Sequence, residues 1–421
     1  MPRLTRPLSL PFVLALSLLY APALFAQSRH FPVPPGLEGA VEFWKQIFTR
    51  YSFAEVVLFD PLDPGTIYGA VRAPDNEEGR ALVEKERARI GADYDLADKD
   101  SRIRSQRGAK EHFAEGLRTS GRYIAEMKKI FRDEGVPEEL TYLPLVESSF
   151  NIHARSGVGA VGMWQFMPDT GKKFLRIDGK VDERRDPMAS TRAAARLLKQ
   201  NHRLFESWPL AITAYNHGTE GIFRGVKAVE SDNLVDLIRR YQSPTFGFAS
   251  KNFYAEFLAV VEIATRRDLY FPFLRANEPV LLREVEVRRP ASLPALLKPA
   301  AISHDEFFDW NPALDRDTKT IPAGYRVKLP ARKIDAFVAA QRRAASAVNR
   351  KAIQPVKAST ANAPTRRAPG KAKAAKRSVT RATAKGSALR NSQRSKTPAT
   401  GARAAVKAPS LCSGFLIQCT F

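Results

Sequence analysis

Cysteine is nearly missing from this chain. Cys412 and Cys419, close to the C-terminus, are the only two in 421 residues. A disulfide scaffold is thereby excluded for the body of the protein. In an exported chain the pair would close a small loop; otherwise they are two idle thiols, and both readings stand. With no cysteine near the N-terminus, a lipid anchor on an N-terminal Cys is excluded. Histidine is scarce too: six, scattered, without metal-ligand spacing. Neither a metal nor another cofactor is expected. No helical repeat is visible, and no strand-like alternation occurs before about residue 280. Acids are absent between Arg342 and Ser410, a stretch holding 18 of the 67 Lys and Arg. The remaining 49 basic residues nearly balance the 44 acids. The net charge of +23 therefore belongs mainly to a tail. With an export signal at the other end, nucleic acid is not the expected partner.

Residues 1–26 read as that signal: Arg3 and Arg6, an apolar run from Leu8 to Phe25 broken by Pro11 and Pro22, then Ala21, Ala23 and Ala26. The alternative is an uncleaved membrane anchor, for which the run is short and rich in proline. Residues 27–107 form a helical N-terminal region, with Pro61 to Pro74 as a loop. Over 108–275 helical periodicity continues, Ile124, Met127, Ile130 and Phe131 sharing one face. Gly135 ends that helix, and Pro137-Glu138-Glu139 opens the next, which carries Leu140, Leu143, Val146 and Glu147. Ser190 caps a helix through Phe205, and Leu210 to Tyr215 is apolar on nearly all sides. Residues 280–332 differ. Leu282 to Val287 alternates as a strand, Leu293 to Leu297 and the segment from Ser303 are short helices, and Tyr325 to Leu329 alternates again. Beyond them, 336–410 is a Lys/Arg/Ala-rich tail too poor in apolar residues to fold, and 411–421 is a short Cys-containing end. The fold class is mainly α, with a small α+β module.

Glu147 sits in Leu145-Val146-Glu147-Ser148-Ser149-Phe150-Asn151, one carboxylate in an apolar frame. Desolvation raises the pKa of such an acid, and a protonated acid at neutral pH can protonate a leaving oxygen. The bland alternative is a core-edge Glu paired with an Arg. Gly157, Gly159 and Gly162 allow a tight backbone, Gln165 brings donors and an acceptor, and Met163, Trp164, Phe166 and Met167 bring surface that packs on sugar rings or fills a core. Ala214-Tyr215-Asn216 follows at the end of a helix. The combination points to glycoside cleavage.

In order and spacing, the Glu147-Ser148 pair, Gly162-Met163-Trp164-Gln165 and Ala214-Tyr215-Asn216 resemble the signature blocks of lytic transglycosylases of the SLT, goose-lysozyme-like class. The likeness covers residues 108–270. It implies a lysozyme-like helical fold and cleavage of the β-1,4 bond between N-acetylmuramic acid and N-acetylglucosamine of peptidoglycan, leaving a 1,6-anhydro sugar. Glu147 is implied as acid and then base. Ser156, Gln165, Met167, Tyr215, Asn216 and Tyr254 are implied to bind substrate, with Ser148 and Gly162 as supports. One block departs: a Glu-Thr-Arg-x-Tyr run is replaced by Ser250-Lys251-Asn252-Phe253-Tyr254. The signature blocks hold no second carboxylate, which suits attack by the substrate's own 6-hydroxyl. A lysozyme-type hydrolase would need one; Asp169, Asp178, Asp182 and Glu183 are the nearby candidates. A third reading is a non-catalytic peptidoglycan-binding protein. The 284–331 stretch resembles a degenerate LysM repeat, whose usual Gly-Asp-Thr-Leu is replaced by Pro290-Ala291-Ser292-Leu293. Expected partners are glycan strands, and anionic wall or membrane polymers for the basic tail. The expected location is the periplasm or cell envelope.

Overall fold

The structure, a computed structural model, describes residues 30–96 and 102–353. The signal segment, the tail beyond 353 and both cysteines lie outside the described residues.

The N-terminal region is not wholly helical. After α1 (Glu38–Thr49) come β1 (Glu55–Asp60) and β2 (Asp63–Arg72), then α2 (Glu77–Asp93) and β3 (Arg104–Arg107). They form an antiparallel sheet in the order β2-β1-β3. The expected absence of strands before 280 and the loop at 61–74 are corrected. Val56 to Phe59 is a continuous buried apolar run, which periodicity does not separate from a helix segment. β2 lies at the sheet edge, where Pro64 and its glycines are tolerated. α1 packs on the sheet and on the long helix described next.

The central helices are α3 (Lys110–Ser120), α4 (Ile124–Glu134), the short α5 (Leu143–Glu147) after a 3-10 turn, α6 (Pro168–Gly171), α7 (Pro187–Phe205), α8 (Trp208–His217), α9 (Thr219–Val229), α10 (Leu234–Arg240), α11 (Phe248–Thr265) and α12 (Arg267–Tyr270). Gly135 ends α4 in the left-handed region at φ 69°. One core runs from Phe31 to Phe271, so the N-terminal region and the central helices share a single interior. α11 lies at its centre, against α1, α5 and α8. The cap of α7 is Asp186, which accepts from the Met188 and Ala189 amides; Ser190 sits one turn inside.

The C-terminal module has the expected strand–helix–helix–strand order: β4 (Arg283–Glu286), β5 (Ala291–Ser292), α13 (Leu293–Leu297), α14 (His304–Trp310), β6 (Thr320–Ile321) and β7 (Arg326–Leu329). β4 pairs antiparallel with β7, and Ser303 with Glu306 makes a capping box at α14. The start of the expected tail is corrected. Helix α15 (Ala331–Ile353) continues from the module, with Phe337 and Ala340 buried in the module's own core. Ala, Arg and Lys are strong helix formers, and two apolar anchors suffice to hold them. Among the described residues, no helix is long and apolar enough to cross a membrane.

Candidate active site

Pro144 falls in the first turn of α5, where its missing N–H costs nothing. Its carbonyl accepts from both Ser148 N and Phe150 N, at 3.1 Å each, and ends the helix at once. Ser149 (φ 51°) and Phe150 (φ 60°) then take left-handed backbone, uncommon for residues with a side chain. This sharp exit leaves Glu147 on the last turn, 1% exposed, with neither carboxylate oxygen hydrogen-bonded. Burial pushes its pKa up to about 8. A carboxylic acid that is still protonated at neutral pH follows.

The glycine-rich segment folds as a tight hairpin beside it. Ser156 N donates to Ala160 O at 3.0 Å, and its Oγ accepts from Ala160 N at 2.9 Å. Gly162 has φ 83°, and a Cβ there would stand 1.9 Å from the Arg184 carbonyl oxygen. Gln165 is a third left-handed residue, at φ 47°. Its amide nitrogen donates to Gly162 O at 2.7 Å, while its Oε1 is buried without a partner. Ser148 Oγ donates to Met163 O at 2.9 Å, and Tyr215 O–H donates to Trp164 O at 2.8 Å. The three signature blocks are thus tied together through two backbone carbonyls of one turn. Burial first, and then the Glu147 charge, hold the Tyr215 hydroxyl well above the usual tyrosine range.

Other expected site residues lie elsewhere. Met163, Trp164 and Phe166 are core: Trp164 stacks on Phe131 at 5.8 Å and donates to Thr191 Oγ1. Of the apolar set, Met167 alone keeps partial exposure. Asn216 turns inward and accepts from Ser250 Oγ at 3.1 Å, a structural contact. Tyr254 is fully buried and donates to Pro32 O at 3.0 Å, so it belongs to the packing of the N-terminal segment.

Two residues went unseen in the sequence. Arg184 donates to the carbonyls of Gly159 (3.1 Å) and Phe166 (3.2 Å), bracing the hairpin, while Asp182 grips its guanidinium at 2.9 Å. Glu256, on α11, is fully buried, and neither of its oxygens has a partner. Burial first, and then the charge on Glu147, hold its pKa well above the carboxylate range. A lone acid within Phe253 to Val261 was the available signal. Of the expected candidates for a second catalytic carboxylate, Asp182 is taken by Arg184 and Glu183 accepts from the Arg176 amide. Asp178 closes its own turn, where the Arg176 guanidinium holds it down to about 2, and Asp169 is exposed on α6.

The C-terminal module docks onto this loop system. Asp182 N donates to Ala313 O at 2.8 Å, Val181 bridges to Leu314, Arg185 pairs with Asp315 at 2.8 Å, and Lys328 pairs with Asp186.

Residues 124–233 match the model of the family described as Transglycosylase SLT domain. The chain is similar to membrane-bound lytic murein transglycosylase D of Escherichia coli strain K12, 30% identical over 207 residues, 48% of this chain and 45% of that protein. It thus spans a little under half the length of that relative. Among solved structures, an inactive mutant of lytic transglycosylase Slt from Pseudomonas aeruginosa is similar over 34% of this chain and 24% of its own, at 23% identity and TM-score 0.29. The 70 kDa soluble lytic transglycosylase Slt70 from Escherichia coli is similar over 35% of this chain and 24% of its own, at 20% identity and TM-score 0.29. Residues 124–233, which hold Glu147, the Gly-x-x-Gln turn and Tyr215, are thus the stretch that matches the Transglycosylase SLT domain.

Proposed function

We propose that this protein is an exported lytic transglycosylase of the cell envelope, cleaving the β-1,4 bond between N-acetylmuramic acid and N-acetylglucosamine in peptidoglycan without water. The observation that carries the reading is Glu147: buried and unpartnered, with its pKa raised by that burial to about 8. Its proton passes to the glycosidic oxygen as the bond from the muramic C1 to that oxygen breaks. The 6-hydroxyl of the same muramic residue then attacks C1, and its proton returns to the Glu147 carboxylate. Atoms balance with no water consumed, and the product is the 1,6-anhydro sugar. A tethered nucleophile replaces the second carboxylate, with a large gain in effective molarity. Ser156, Gln165, Met167 and Tyr215 would line the substrate path, Ser148 and Gly162 holding the frame.

Glu256 invites the hydrolytic alternative. A water-activating base must be ionised, however, and burial together with the charge on Glu147 favours the protonated form of Glu256. It is also fully enclosed, with no exposed surface to meet a water.

Mass spectrometry of sugars released from purified peptidoglycan sacculi by the full chain tests the reading. Anhydro-muropeptides are expected, with Glu147→Gln lowering their yield at least about a thousandfold, the upper part of a general acid's range. Reducing-end sugars would establish a hydrolase; binding without any product would leave a glycan-binding protein.

A further inference from the structure

Glu256 costs stability and gives the fold nothing in return. It is fully buried, both oxygens lack hydrogen bonds, and its neighbours along α11 are apolar. Buried polar groups are nearly always satisfied, so an exception of this kind calls for a functional reason. The elements packed on α11 carry other titratable groups: Lys45 on α1, Glu138, Glu139 and Tyr142 in the 3-10 turn, Tyr215 and His217 on α8, and Tyr270 on α12. None of these acts on Glu256; Glu147 does, from α5, which packs directly against α11. Burial raises the pKa of both acids, and the charge on Glu147 adds to the rise at Glu256.

Once Glu147 has given its proton to the leaving oxygen, it is a carboxylate in an apolar enclosure. Three neighbouring donors are engaged: Ser148 Oγ with Met163 O, Tyr215 O–H with Trp164 O, the Gln165 amide with Gly162 O; Ser149 Oγ and Asn216 Nδ2 are buried without a partner. We propose that Glu256 is a positioning residue, a buried acid that stays neutral throughout the cycle and turns its O–H to the Glu147 carboxylate formed in the first step. The hydrogen bond exists only while Glu147 is charged, so it stabilises the intermediate stage and not the resting acid. This inference rests on the proposed role of Glu147 as general acid.

The test is a carboxyl titration of the full chain labelled with 13C-carboxyl glutamate, with Glu147→Gln assigning the Glu147 resonance. In Glu256→Leu the Glu147 midpoint is expected to rise by a unit or more, because its donor is gone. In Glu256→Gln, which keeps the size and a neutral donor, it stays within a few tenths of a unit. A fall in both variants would mean Glu256 is charged, and no change in either would make it a bystander; both results overturn the proposal. Ser149 Oγ is buried and unpartnered as well, so Ser149→Ala is included; a shift there with none in Glu256→Leu gives the role to Ser149 and also overturns it. Should Glu256→Leu not fold, Glu256→Met replaces it. On sacculi, Glu256→Leu should lose about tenfold or more in kcat with KM spared, and Glu256→Gln should keep both. If the parent chain releases no sugar, the functional reading fails, and the titration still decides whether Glu256 serves Glu147.

Discussion

A single acid near pH 8 dictates the shape of the pH profile. Glu147 must be protonated to start the reaction, so kcat/KM on sacculi should hold steady below its pKa and fall about tenfold per unit above about 8. With no ionised partner required, no rising limb is expected between pH 5 and 7; a bell with its lower limb there would point to a second working carboxylate. The Gly162 backbone is just as constrained. At φ 83°, with the Arg184 oxygen 1.9 Å from where a Cβ would stand, Gly162→Ala must shift the hairpin that carries Gln165. We expect a loss of at least about 2 kcal/mol in denaturant unfolding, above the usual cost of a strained alanine; an unchanged midpoint would show that the loop is slack. At this scale the sequence was legible where chemistry and spacing coincide: Glu147, Gln165 and Tyr215 stand in short blocks with little else to do. Glu256 was hidden because one acid inside a helix of apolar residues reads as an accident of the core. Tyr254 is buried against Pro32 O, a placement its block could not foretell, because a match to a departing block sets a position along the chain and not the partner of the side chain.

Helix ends tell a related story. Asp186 caps α7 through two amides and also neutralises buried Lys328, 142 residues away, with Asn311 holding that lysine's backbone on both sides. Removing an ordinary cap costs about 1 kcal/mol. Asp186→Ala would also strand a buried ammonium, so about 3–5 kcal/mol is expected from urea unfolding. Lys328→Met should cost less, and the double variant should recover part of the loss, because it leaves no unpaired charge. If Asp186→Ala costs no more than a cap, the ion pair contributes nothing. Ser190 looked the better cap on local preference, yet Pro187 fixes the helix start three residues earlier. The β1–β2 hairpin was illegible for the opposite reason: its strands are a fully buried run and a proline-bearing edge, and neither alternates. Module docking through Val181, Asp182 and Lys328 leaves no periodic trace, since its partners are distant in sequence and chosen by shape.

Taken whole, the molecule is stapled around a site that weakens it. Glu147 and Glu256 keep protons in the folded chain that an unfolded chain has released above about pH 4.5. Wherever the folded state binds more protons, stability falls as pH rises, by about 1.4 kcal/mol per unit for each proton. Carboxylates held below their usual range, Asp60 by its Arg102 and backbone hydrogen bonds and Asp178 by Arg176, act in the opposite sense but only in the acid range. His153, His202 and His217, lowered by burial, also favour higher pH, but only below their ordinary value of 6.5. Between pH 6.5 and 8 the two acids therefore act with little opposition. Over that window the unfolding free energy should drop by about 2 kcal/mol through Glu147, with Glu256 acting in the same direction. Glu147→Gln and Glu256→Gln should each reduce the slope, and the double variant should be flat. Urea titrations at four or five pH values would measure this, and a parent chain equally stable at both ends would show that neither acid keeps its proton. The same burial that makes Glu147 an acid at neutral pH makes the folded state prefer mildly acidic surroundings, so stability and activity should fall together as the medium turns alkaline.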